Sequence, residues 1–197
     1  MTKTKAIQSH IMDSLANHFL IAMPQLADPN FAHTVTYICE HNDQGAMGII
    51  VNRPLELNLG DILDQLQIDA DTDDGNLRQQ PVVFGGPVHQ EYGFVLHDPG
   101  RVWRNTLFIS DDVALTTSND ILHDIALHNG PDQSLVALGY AGWGAGQLET
   151  EMSQNAWLSV AADADIIFLQ PFEQRWQASA QLLGIDISVL SDNVGHA

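Results

Sequence analysis

The sequence predicts an α+β fold, and three observations lead there. Short runs rich in apolar and β-branched residues recur along the chain, several of them followed by glycine, proline or asparagine turns. Amphipathic segments with capping residues fall among them. The two kinds follow one another in mixed order, without the strict alternation that a doubly wound parallel sheet requires. With 197 residues, 45% of them hydrophobic, one substantial core and a single domain are expected.

Residues 1–17 carry a weak helical pattern through Ile7, Ile11 and Leu15, which reads as a peripheral helix. His18–Met23 and His33–Glu40 read as strands, separated by a loop that Pro24 and Asp28-Pro29-Asn30 mark. His41 to Gly45 is a hairpin turn into a third strand, Met47–Val51, which Arg53-Pro54 ends. Asn58 is placed to cap a helix through Leu66, with Asp61 complementing its dipole. Val82–Phe84 and Tyr92–His97 read as strands around a Gly85-Gly86-Pro87 turn. Ser118 or Asn119 caps a helix through Leu127, stopped by Asn129-Gly130-Pro131. Leu135–Tyr140 is a buried-type strand, and glycine-rich sequence then leads into a helix around Leu148–Asn155. Trp157–Ala161 and Ile166–Leu169 are short apolar segments. A last helix runs from about Phe172 to Leu183, with Gly184 just past its end.

Charge excludes more than it assigns. Seven basic residues face 25 acidic ones, a net charge of -18, and both lysines, Lys3 and Lys5, lie at the N-terminus. Charging all nine histidines still leaves the protein at -9. Nucleic-acid binding needs a basic footprint to displace counterions, and Arg53, Arg78, Arg101, Arg104 and Arg175 are scattered along an acidic chain. Composition therefore argues against direct binding to DNA, RNA or an anionic membrane. No apolar run reaches the ~20 residues of a membrane span, and the N-terminus does not read as a signal peptide. One cysteine, Cys39, fits a reducing compartment, so a cytoplasmic location is expected.

Several motifs fall short of the chemistry they suggest. Gly139 to Gly146 has the setting of a phosphate cradle, but a dinucleotide fingerprint would need glycine where Gln147 stands. A Walker loop would need lysine where Ala145 stands, so the run reads as a tight backbone crossing where side chains do not fit. A calcium loop starting at Asp69 fails at Asp74 and Gln80, so Asp69–Gly75 reads as a solvated acidic loop. His123 and His128 are five apart, and no Cys/His cluster of metal-ligand spacing appears. There is no Gly-x-Ser-x-Gly elbow, and Cys39 sits mid-strand, where an inert buried thiol is expected. Glu149 and Glu151 are a carboxylate pair, but two residues apart on a helix they point about 200° apart. No cofactor and no metal is called for.

Five stretches carry a resemblance. Phe19 to Pro24, Phe31 to Glu40, Met47 to Pro54, Phe84 to Val88, and Gly139 to Trp143 continuing to Gln147-Leu148-Glu149 closely resemble the AlgH/YqgE family of bacterial proteins. The match runs from about His18 to Leu183 with the motifs in the family's order. It implies a mixed, bifurcated β-sheet curled into a pseudo-barrel with flanking helices, within a single domain over residues 18–190. Residues 1–17 and 191–197 are then a peripheral segment and a tail. The resemblance implies no reaction and supplies no catalytic residue. One namesake is associated with control of alginate production and called a transcriptional regulator, a label that fits poorly with the charge here.

The expectation is therefore a non-enzymatic binding or regulatory module acting through a protein or small-molecule partner. Its candidate surface gathers Asn52, Arg53, Pro54, Gly85, Gly86, Pro87, Gly142, Trp143, Gln147 and Glu149, with Arg53 as polar anchor and Trp143 as apolar one. The alternative is an enzyme acting on a small metabolite, with Glu149, Glu151 or His89 in acid/base or metal-ligand roles.

Overall fold

A computed structural model describes residues 14–69 and 75–187. Most of the expected N-terminal helix, the centre of the acidic loop Asp69–Gly75 and the tail 191–197 lie outside the described residues. Ten strands form one sheet: β1 (His18–Ala22), β2 (Val35–Asn42), β3 (Gly45–Ile50), β4 (Pro54–Asn58), β5 (Pro81–Phe84), β6 (Val88–His97), β7 (Thr106–Phe108), β8 (Ala114–Thr116), β9 (Ser134–Gly144) and β10 (Trp157–Ala161). Six short helices are described with it: α1 (Leu59–Gln65), α2 (Gly75–Arg78), α3 (Asp120–Ala126), α4 (Gln147–Ser153), α5 (Ala164–Phe168) and α6 (Arg175–Gln181). The sheet curls into a half-barrel, as the α+β, bifurcated expectation holds.

The main path runs β10-β1-β2-β3-β9-β6-β8-β7, with antiparallel neighbours throughout. The fork lies at β9. One of its edges pairs with β6; the other is shared between β3, opposite Ala141–Gly144, and β5, which runs parallel to it at Ala137–Leu138. Successive side chains of a strand point to opposite faces, and β1 shows the result. Phe19 and Ile21 join the core inside the curl with Tyr37, Ile49 and Leu96, while Leu20 and Ala22 join Trp143, Leu148 and Trp157 under α4. A third cluster packs α1 and α3 against Val82, Val95 and Val136.

Local signals account for several boundaries. Asn58 and Asp61 form a reciprocal capping box: the Asn58 side chain accepts from the Asp61 amide and the Asp61 carboxylate accepts from the Asn58 amide. Gly184 follows α6 with φ +70°, and Ile185 donates its amide back to the Ala180 carbonyl. Two expectations are corrected, and one apolar segment gains its element. Pro54 opens a strand, β4, as well as ending the preceding segment. Gly139 to Gly144 are strand, because β9 continues along β3. Ile166–Leu169 falls largely in a helix, α5, whose N-cap Asp163 accepts from the Asp165 amide.

Candidate functional site

The glycine motifs meet where the chain crosses itself. Leaving β5 on one edge of β9, Gly85-Gly86-Pro87 passes over that strand and begins β6 on its other edge, where Val88 pairs with Tyr140. A Cβ on Gly86 would fall inside the Tyr140 backbone, and one on Gly139 would fall on the Gly86 carbonyl. Gly85 donates to the Leu138 carbonyl and accepts from the Ile50 amide, which ties β3, β5 and β9 together at the fork. These residues build the bifurcation.

Asn52 and Arg53 act on a different segment. The Asn52 side chain donates to the His33 carbonyl and accepts from the Val35 amide. The Arg53 guanidinium donates to the carbonyls of Pro29 and Asn30, each at 2.8 Å, and of Ala32 at 3.0 Å. Its donors are thus largely spent on one loop, which carries Phe31 onto Trp143 and Trp157, with ring centroids 6.1 and 5.5 Å apart. Trp143 is only 6% exposed. Both anchors expected of an interface are engaged within the protein.

α4 completes this cluster. The Glu151 carboxylate accepts from the indole N–H groups of both Trp143 and Trp157 at 2.9 Å, and from the Gln147 amide at 3.0 Å. On another side of the helix Glu149 meets His41. The Leu15 amide donates to His41 Nδ1, so the neutral ring carries its proton on Nε2 and donates it to Glu149 Oε1 at 2.9 Å. The Glu149 carboxyl is held below the usual carboxylate range, first by its own backbone N–H and then by His41. The two glutamates serve separate partners, as their helical spacing predicts. His89 lies elsewhere, on an exposed stretch of β6, with φ +49°, bonded to Glu91 and edge-on to Tyr92. Burial pushes the Cys39 thiol up, which leaves it protonated and unreactive. Among the described residues no group of three or more His, Cys, Asp or Glu is arranged to hold a metal.

A cleft of about 670 Å³ opens between α1, β6 and α3. Its floor is the sheet face at Gly93, Val95, Val136 and Leu138, in register as Gly93↔Leu138 and Val95↔Val136. Ile62 of α1 and Leu66, the residue that caps its C-terminus, wall one side and Leu122 of α3 the other. A Cβ built at Gly93 meets nothing within 4 Å, so the missing side chain opens the floor. Beside it β6 departs from β9: five steps along β6, Val88 to Gly93, face two along β9, Tyr140 to Leu138. The rim is polar and uncharged at Gln65, Gln90 and Thr117 to Asn119, and carries one charged residue, Glu91. Gly142 and Trp143 line a separate, shallower hollow of about 490 Å³ with Met47 and Tyr140. Sequence reasoning missed the cleft. The available signal was Gly93, an isolated glycine inside a strand pattern.

A family model described as AlgH-like matches residues 19–188. The UPF0301 protein of Nitrosospira multiformis is 57% identical over 183 residues, covering 93% of this chain and 97% of that one. The UPF0301 protein of Thioalkalivibrio sulfidiphilus is 54% identical over 184 residues, with 93% and 97% covered. The solution structure of the AlgH protein from Pseudomonas aeruginosa aligns over 100% of both chains with a TM-score of 0.76 and 48% identity. A crystal structure of a Corynebacterium diphtheriae protein shares the fold at 16% identity and a TM-score of 0.71, covering 97% and 94%. The motifs that build the crossing at β9 thus sit inside a match that spans nearly the whole chain, and the chain belongs to the AlgH-like family.

Proposed function

We propose that this protein is a non-enzymatic binding module of the cytosol, and that its ligand site is the cleft between α1, β6 and α3. The observation that carries the proposal is the apolar floor left open at Gly93 within a largely polar rim. A concave, mostly apolar site with a few polar groups is the usual form of a ligand pocket, and about 670 Å³ suits a ligand of drug-like size. The charge of the protein narrows the choice. With -18 overall and Glu91 as the charged residue on the rim, a neutral or cationic ligand with an apolar body is favoured over an anion. The engagement of Glu149 with His41, and of Glu151 with two indoles, supports binding over acid/base chemistry.

Gly93→Val tests the reading, because the new side chain enters open space and a β-branched residue suits a strand. Binding of a neutral apolar dye such as Nile red, and of phenethylammonium, is expected to fall at least tenfold while the thermal midpoint holds or rises. Unchanged affinity for both probes, in a variant that folds normally, would remove the cleft as the site.

A further inference from the structure

Six consecutive residues of one strand, Gln90 to Val95, line the cleft. A hollow that merely faced a sheet would be lined by alternate residues, because a strand's side chains alternate between faces. Here the bulge of β6 away from β9 breaks that alternation and brings the backbone of Gln90 to Val95, as well as side chains, to the cleft.

On the side of β8, the edge of β6 has no partner strand before Val95 among the described residues. β8 pairs with β6 only from Val95 to His97, opposite Thr116 to Ala114. Past Thr116 the chain leaves the sheet plane through Thr117–Asn119 and enters α3. On the β8 side, Gln90 to Phe94 are left open: Gly93 and Phe94 stay in register with β9, and Gln90 to Tyr92 form the bulge that leads up to them. Tyr92, on this stretch, is 59% exposed. An unpaired strand edge is a template for another chain, and protein–peptide recognition uses it by adding a strand. Directly beside it lies the apolar floor at Gly93, Val95 and Leu138, which can receive side chains from one face of an added strand.

We infer that the cleft binds a peptide segment of another protein in extended conformation, added as a strand to β6 at Gln90–Phe94 with alternate apolar side chains seated over Gly93. This rests on the cleft being the ligand site. Main-chain hydrogen bonds to the edge supply affinity, and the groove selects residues at every second position. The occupant is neutral or basic. Among the residues that line the cleft, one is acidic and none is basic, and the body carries -18. Lysine or arginine flanking the apolar positions therefore complements Glu91, and an acidic segment is repelled. A short β8 that ends at Thr116 is what leaves room for such a guest.

The test selects from a randomised eight-residue peptide library with the wild-type protein and with Gly93→Val in parallel. Enriched sequences are then resynthesised with alternate backbone nitrogens methylated, in each of the two registers. Expected are sequences with apolar residues at every second position plus lysine or arginine, enriched on the wild type and not on Gly93→Val. One methylation register should weaken binding at least tenfold while the other is tolerated, since only one peptide edge faces β6. Amide exchange at Gln90–Phe94 should slow at least tenfold in the complex. Binding that survives both methylated registers, or enrichment of acidic sequences, would overturn strand addition. So would a library that yields nothing beyond the Gly93→Val background. If that happens while Gly93→Val still abolishes Nile red binding, the cleft stands as a small-molecule site and the peptide inference alone fails.

Discussion

Replacing Glu151 by alanine separates a structural carboxylate from a catalytic one. Glu151 Oε2 accepts from the indoles of Trp143 and Trp157, which are 6% and 3% exposed, so Glu151→Ala leaves two buried N–H donors without their partner. An orphaned buried donor costs about 1–3 kcal/mol, which gives a range of about 2–6 kcal/mol for the pair. The space left by the carboxylate can admit water to one donor or both, which places the expected loss near the lower middle, at about 3 kcal/mol. In urea that moves the unfolding midpoint down by roughly 1–2 M. Glu151→Gln behaves differently. Its remaining carbonyl oxygen can accept both indole protons, while its amide faces the Gln147 amide and forfeits one exposed bond, a loss of about 0.5–1 kcal/mol. Urea unfolding followed by tryptophan fluorescence and far-ultraviolet circular dichroism reads both variants. An alanine variant within about 0.5 kcal/mol of wild type would refute the reasoning. A glutamine variant as damaged as the alanine one would show that charge, not acceptor geometry, is what Glu151 supplies, and would return it to the acid/base candidates.

Three further outcomes follow from the same contacts. Arg53→Ala removes three charge-assisted bonds to the loop that carries Phe31, and should lower stability by about 2–4 kcal/mol in thermal unfolding; Arg53→Lys should recover little of it, because an ammonium cannot reproduce the planar fork. Glu149 has its folded pKa depressed, so the stability it contributes is present above the unfolded pKa and is lost as pH falls through the folded one. The stability gap between wild type and Glu149→Gln should therefore be full near pH 6 and shrink as pH falls below the ordinary glutamate range in acid titration of unfolding. Duplex DNA should show no saturable binding at physiological ionic strength in fluorescence anisotropy, since Arg53, Arg78, Arg101 and Arg175 are each engaged by groups of the protein itself; micromolar binding that weakens steeply with salt would contradict it.

What the sequence revealed of the fold is what local chemistry determines. Asn58 and Asp61 announce a capping box three residues apart, the turn at Asn42 to Gly45 connects adjacent strands, and Gly184 marks the end of α6. β7 and β8, three residues each, are too short to show a period of two. The glycines from Gly139 to Gly144 read locally as a tight backbone crossing, but not as strand, and β9 runs straight through them. Their composition answers to the crossing by Gly85–Pro87, more than fifty residues away in the chain. The same distance hides the roles of the expected site residues. Arg53 and Trp143 stood out as anchors, and the partners that occupy them, the carbonyls of residues 29–32 and the Glu151 carboxylate, are set by tertiary packing. The cleft needs α1, β6 and α3 to converge, and Gly93 was its one local trace.

The location of the ligand site is most directly measured by amide chemical-shift mapping of the wild-type protein with phenethylammonium and, as the anionic counterpart, phenylacetate. The cation should give saturable shifts concentrated at Gly93, Leu138, Leu66 and Thr117, around the cleft floor and rim, and phenylacetate should give weaker ones there. Saturable shifts centred instead on Gly142, Trp143 and Tyr140, in the second hollow, would contradict the account and place the ligand site at the far end of β9.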